Sequence, residues 1–133
     1  MNRPQLVVPA MRAEESERWK FSQAVRVGGF LLCSGQIGIM PDGSVPTDPR
    51  EQFEWAFHNV AVVLEAGGLS RHHVVDMTTF HVGFPEHFDT FAAVRERWLG
   101  DVRPAWTALG VAALASPNAL VEIKVTAWKG TST

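Results

Sequence analysis

The chain of 133 residues predicts an α+β fold in the order β-β-α-β-α-β-β, a mixed sheet with two helices on one face. Three observations carry this expectation. A capped segment beginning at Asp48 repeats its apolar residues at helical spacing. The closing segment from Ala119 to Trp128 alternates, with Val121, Ile123, Val125 and Ala127 facing one way and Glu122, Lys124 and Thr126 the other. Between them, Gly and Pro pairs punctuate the chain without any repeat, low-complexity tract or linker, so residues 1–133 read as one domain with residues 1–20 as an N-terminal extension.

Taken in order, Ser22 to Val27 alternates weakly, Gly28-Gly29 turns, and Phe30-Leu31-Leu32-Cys33 runs apolar, which together read as a hairpin of short strands. Pro41-Asp42-Gly43 is a turn, because Pro presets φ and Gly tolerates positive φ. Asp48 suits a helix N-cap, Pro49 the first helical position and Glu51 the reciprocal place in a capping box. Phe53, Ala56, Phe57, Val60 and Leu64 then form one apolar face, and Gly67-Gly68 ends the helix. Val74 to Val82, rich in β-branched and aromatic residues, reads as a strand. A second helix follows Pro85, with Phe88, Phe91, Ala92, Trp98 and Leu99 on one face and Gly100 as the stop. Pro104 to Ala112 and Ala119 to Trp128 close the chain as strands. An open sheet covered on one face leaves the other free, and a partner subunit is the expected cover.

Composition narrows the function classes. A hydrophobic share of 46% and a formal charge of −2, with no stripe of Lys and Arg, argue against a nucleic-acid binder. The single Cys33 excludes an intrachain disulfide and a cysteine-built zinc site. None of the five histidines, His58, His72, His73, His81 and His87, has ligand spacing, so no metal is expected, and no cofactor-binding fingerprint is present. The first 17 residues lack a signal-peptide core and no later run approaches a membrane span, so a soluble, cytoplasmic protein is the expectation.

Five segments occur in a telling order: Leu32-Cys33-Ser34-Gly35-Gln36-Ile37, Asn59-Val60 through Leu64-Glu65-Ala66-Gly67-Gly68, Val75-Asp76-Met77-Thr78-Thr79-Phe80, Pro104-Ala105-Trp106 and Val121-Glu122-Ile123. With this set the chain resembles the RidA/YjgF/YER057c/UK114 family from about Phe21 to Trp128. The resemblance implies a chorismate-mutase-like protomer and a homotrimer whose sheets form a central barrel. It implies three small-molecule clefts between neighbouring subunits, and, in the best-known members, hydrolysis of reactive enamines and imines to keto acids and ammonia.

In those enzymes the arginine of a Pro-Ala-Arg motif holds the substrate carboxylate, a task suited to a planar bidentate donor. This chain has Trp106 there, with one N–H donor and no charge. Losing such a contact costs on the order of 2–5 kcal/mol where the partner charge is desolvated. The Pro-x-Trp-Thr-Ala-x-Gly-Val pattern resembles the YjgH-like branch instead. Other positions carry over residue by residue. The resemblance makes Glu122 the group that positions or activates water, and Ser34 and Gly35 the loop lining the pocket. Phe21 stands where a tyrosine is usual, Ala108 where a cysteine is common and Arg95 where many members have asparagine.

Each of these has a plainer reading. Arg95 falls near the middle of an apolar helix stripe, so it either supplies the charge missing at Trp106, pairs with Glu122 or another acid, or snorkels past the helix. Glu122 either serves the cleft or pairs across strands near Lys124, and Trp106 is a pocket or interface wall or core filler. His72-His73 reads as an exposed connection and His81 as a strand residue able to face the cleft; Cys33 packs rather than reacts. Two functions follow: an enamine or imine deaminase with an altered substrate, or a non-catalytic ligand-binding or regulatory trimer that lost the chemistry with the arginine. A ribonuclease gains nothing from the acidic balance.

Overall fold

The computed structural model describes residues 3–130. A six-stranded mixed sheet has the strand order β1-β2-β3-β6-β4-β5, with β1 at Gln5–Val7, β2 at Ala24–Val27, β3 at Phe30–Cys33, β4 at Val74–Val82, β5 at Ala105–Val111 and β6 at Val121–Trp128. Three helices accompany it: α1 at Ala13–Trp19, α2 at Pro49–Ala66 and α3 at Phe88–Leu99. The α+β architecture expected from the sequence is borne out, and each of its two helices and five strands forms within a few residues of its expected place. The addition is the N-terminal extension, which contributes edge strand β1 and helix α1.

Helix α2 begins as its sequence dictates: Pro49 opens it and the Asp48 carboxylate accepts the Glu51 N–H at 3.0 Å. Its buried face, from Phe53 through Ala56, Phe57 and Val60 to Leu64, meets α3 through Phe91 and Leu99 and the sheet through Leu31, Met77, Ile123 and Val125. Phe53, Phe57 and Phe91 are sealed from water, each contributing about 1.5–3 kcal/mol of burial. Phe91 stands edge-on to Phe53 at 5.4 Å and stacks on Phe57 at 5.5 Å, which fixes how the two helices sit together.

The strand order follows from pairing. β4 pairs antiparallel with β6 and parallel with β5, so residues on β5 are placed by a crossover through α3. In β6, Val121, Ile123, Val125 and Ala127 are buried toward the helices while Glu122, Lys124, Thr126 and Trp128 face the other way, as the alternation requires. That second face, with Phe30, Leu32 and Leu109 exposed, carries no helical layer from α2 or α3. Among the described residues no helix is long and apolar enough to cross a membrane.

Candidate functional site

After β3 the chain leaves the sheet as an extended strip, Ser34 to Ile39, held from three sides. Gln36 exchanges backbone hydrogen bonds with Ile123 of β6, at 2.9 and 2.8 Å. From α2, the Asn59 amide donates to the carbonyls of Ile37 and Ile39, both at 2.8 Å. Gly38 touches the backbone of Gln52 so closely that no Cβ would fit. Ser34 Oγ donates to the Ser22 carbonyl at 2.7 Å, tying the strip to the segment before β2.

A chain of buried amides extends this order to the N-terminal helix. Gln36 Nε2 donates to Gln23 Oε1 at 2.8 Å, and Gln23 Nε2 donates to Glu15 Oε1 at 3.0 Å and to Ser16 Oγ at 3.3 Å. Both glutamines are almost wholly buried, so these bonds satisfy groups that would otherwise destabilise the fold. Helix α1 thereby becomes one wall of a cavity of about 590 Å³, whose lining includes Arg12, Trp19, Phe21, Ser34, Gly35 and Glu122. Glu122 is half-buried there, lying against the Gly35 backbone in the space a side chain would need. Burial pushes its carboxyl above the usual glutamate range, opposed by the nearby Lys124 charge. The Lys124 ammonium donates instead to the Cys33 carbonyl at 3.3 Å, so the cross-strand ion pair that would have made Glu122 a surface residue is not formed.

Trp106 and Arg95 belong to a different place, the outer edge of the sheet under α3. The Trp106 ring stacks on Phe88 at 5.7 Å and 9°, and its Nε1–H donates to Thr79 Oγ1 at 3.0 Å. Arg95 lies over the same indole, Cζ 3.7 Å from the ring centroid, with its Nε–H directed at Met77 Sδ at 3.4 Å. Among the described residues it is in no ion pair, so the pairing with Glu122 or another acid does not occur. Burial lowers its pKa, yet a guanidinium stays charged at neutral pH. These two residues, with Ala92, Leu99, Arg103 and Pro104, border a second cavity of about 520 Å³.

The sequence-nominated residues therefore divide. Phe21, Ser34, Gly35 and Glu122 share the first cavity, Arg95 and Trp106 the second, and Ala108 sits in the β4–β5 ladder opposite Thr79, lining neither. Arg12, Glu15 and Trp19 were missed; α1 buries only Ser16, so it has no apolar stripe for periodicity to detect. His81 is corrected: it is buried among Phe84, Phe88 and Phe91, with Nε2 2.8 Å from Thr79 Oγ1, and burial lowers its pKa. His73 is no free loop residue either, since its Nδ1 accepts the Ser70 N–H at 3.1 Å in a capped 3-10 turn. Among the described residues no three His, Cys, Asp or Glu side chains are grouped to hold a metal.

Fold and strip together define an α+β protein with a cavity set against the Ser34-Gly35-Gln36 segment beside the acidic strand residue Glu122. The chain matches the family described as endoribonuclease L-PSP over residues 12–129. It is 35% identical over 122 residues to the RutC family protein YjgH of Escherichia coli, covering 91% of this chain and 92% of that protein. It is 36% identical over 106 residues to the 2-iminobutanoate/2-iminopropanoate deaminase of Dermatophagoides farinae, covering 78% and 81%. A solved structure of YjgH superposes with a TM-score of 0.85 at 32% identity, over 96% and 98% of the two chains. The chain belongs to the RidA/YjgF family, on its YjgH-like branch.

Proposed function

We propose that this protein is a cytoplasmic homotrimer with small-molecule clefts shared between subunits, and that it hydrolyses a small carboxylate-bearing imine or enamine. Glu122, Ser34, Gly35 and Phe21 of one subunit form the hydrolytic side of each cleft. Arg95 and Trp106 of a neighbour form the other, and Ala108, which lines neither cavity, is left out of it. The observation that carries this reading is the position of Arg95, whose guanidinium, in no ion pair among the described residues, rests on the indole at residue 106. It returns a positive charge to the neighbourhood where the branch lacks an arginine, with Trp106 as its platform. The partly apolar open face of the sheet, with Leu32 and Leu109 exposed, supports its being covered by other copies.

The chemistry needs one base and no cofactor. An enamine first takes a proton on carbon to become the imine. Glu122 accepts a proton from water as the oxygen attacks the imine carbon and passes it to nitrogen, giving the neutral carbinolamine. Glu122 then takes the hydroxyl proton and delivers it to the amine as the C–N bond breaks, so that the C=O forms and keto acid and ammonia leave. A carboxylate whose pKa is raised toward neutrality is better matched to this transfer than an ordinary one.

The test is ammonia release from imines generated in situ by an amino-acid oxidase. Acceleration that Glu122→Gln abolishes and Arg95→Gln weakens through KM is the expected result. Acceleration that survives Glu122→Gln overturns the mechanism, and a monomer in sedimentation overturns the shared cleft. A second reading, a non-catalytic binder or regulator, is favoured by one observation, the neutral indole at Trp106. It would be supported by keto-acid binding without turnover, and by Trp106→Arg creating turnover.

A further inference from the structure

The cavity holding Glu122 contains a cation that the proposed chemistry does not use. Arg12 lines it from the end of the short 3-10 turn, Ala10–Arg12, that leads into α1. Its side chain is partly buried and, among the described residues, is in no ion pair. Glu15, one turn further on and lining the same cavity, is not paired with it among the described residues; its carboxylate accepts from the buried Gln23 amide at 3.0 Å. A partly buried guanidinium that lines a cavity and has no ion-pair partner among the described residues is a group able to take an anion. Trp19, Phe21, Ile37 and Ile39 supply apolar wall around it. At about 590 Å³ the cavity lies within the range that takes ligands considerably larger than a three-carbon acid.

We infer that Arg12 is a specificity residue that binds a second anionic group on the ligand, so that the preferred substrates are imines of dicarboxylic acids. The inference rests on the shared-cleft reading for the first carboxylate, which Arg95 of a neighbouring subunit receives. The second carboxylate reaches Arg12 along the apolar wall, and the reacting carbon lies between them near Glu122. Helix α1 is then the element that sets the substrate class, fastened to the catalytic strip through Gln23 and Gln36.

Two product-type acids of equal chain length separate the terms: 2-oxoglutarate, with a terminal carboxylate, and 2-oxopentanoate, without one. Calorimetric titration of the full chain is expected to show tighter binding of the diacid. Arg12→Gln should weaken the diacid by about tenfold or more, the loss of one charge-assisted hydrogen bond, and leave the monoacid unchanged. Arg12→Lys should restore part of the preference, and Arg95→Gln should weaken both acids alike. Equal binding of the two acids by the unaltered protein, or an Arg12→Gln change that affects both or neither, overturns the role of Arg12 and leaves the proposed function standing. If neither acid binds the unaltered protein, the shared-cleft reading falls and this inference with it. Thermal melting of Arg12→Gln, expected to match the parent, separates a lost contact from a lost fold.

Discussion

The Glu122 carboxylate occupies the space next to Gly35 that any larger residue would take for itself. A Cβ at residue 35 would lie 2.5 Å from Glu122 Oε2 and 2.6 Å from its Cγ and Cδ. The backbone at Gly35 is outside the left-handed region, so conformation alone does not require glycine; the neighbouring carboxylate does. Gly35→Ala is therefore expected to push Glu122 out of position while leaving the sheet paired. Ammonia release should fall by about tenfold or more with a change in stability of roughly 1–3 kcal/mol, the usual range for overpacking. Steady-state rates beside a urea melt check this; full activity in the alanine variant would show that the placement is not needed.

Glu122 also ties stability to pH. Its carboxyl is raised by burial, so the native state holds the proton more tightly than the unfolded chain does. The ionised group thus opposes folding above its native pKa, and that opposition vanishes below the ordinary glutamate range. Glu122→Gln is expected to raise Tm near neutral pH and to leave it unchanged under acidic conditions near pH 4. The acid limb of the rate profile should lie above the ordinary glutamate pKa for the same reason. A variant whose Tm gain persists at low pH would contradict the sign.

Thr79 is fully buried, and its hydroxyl joins Trp106 Nε1–H at 3.0 Å to His81 Nε2 at 2.8 Å. Valine keeps the shape and removes the oxygen. Thr79→Val should cost about 1–3 kcal/mol, because two ring nitrogens lose a partner in a water-poor setting. Chemical denaturation measures the cost, and a shift in tryptophan emission should accompany it as Trp106 loosens.

Cys33 is buried on the helix side of β3, and burial pushes its thiol up to about 12. Little thiolate forms at neutral pH, so a disulfide reagent should leave the native protein unmodified over hours. The same reagent should titrate one thiol per chain once denaturant is added. Rapid native labelling would mean that β3 opens far more readily than its pairing with β2 and β6 implies.

Much of the fold was legible because its signals are local. The Asp48-Pro49 cap and the alternation in β6 each depend on residues within a few positions of one another, and both stand where the sequence puts them. The segment α1 was not legible, since a helix that buries only Ser16 leaves no periodic trace, although Glu14 and Glu15 at its start were a usable sign. The contact of Arg95 with Trp106 was equally out of reach: helical spacing placed the arginine on an apolar face but could not say which side chain it meets.

The sequence by itself determined the order of elements from Ser22 onward, the family, and the exchange of a guanidinium for an indole at residue 106. Tertiary structure alone decided which side chains share a cavity. Alternation states that neighbours in a strand face opposite ways. It does not state what packs on either face, because strand order and register are settled by pairing between segments far apart in the chain. That pairing set Glu122 against Gly35 in a cavity that Arg12 also lines, and set Trp106 under α3 with Arg95, on the other side of the sheet.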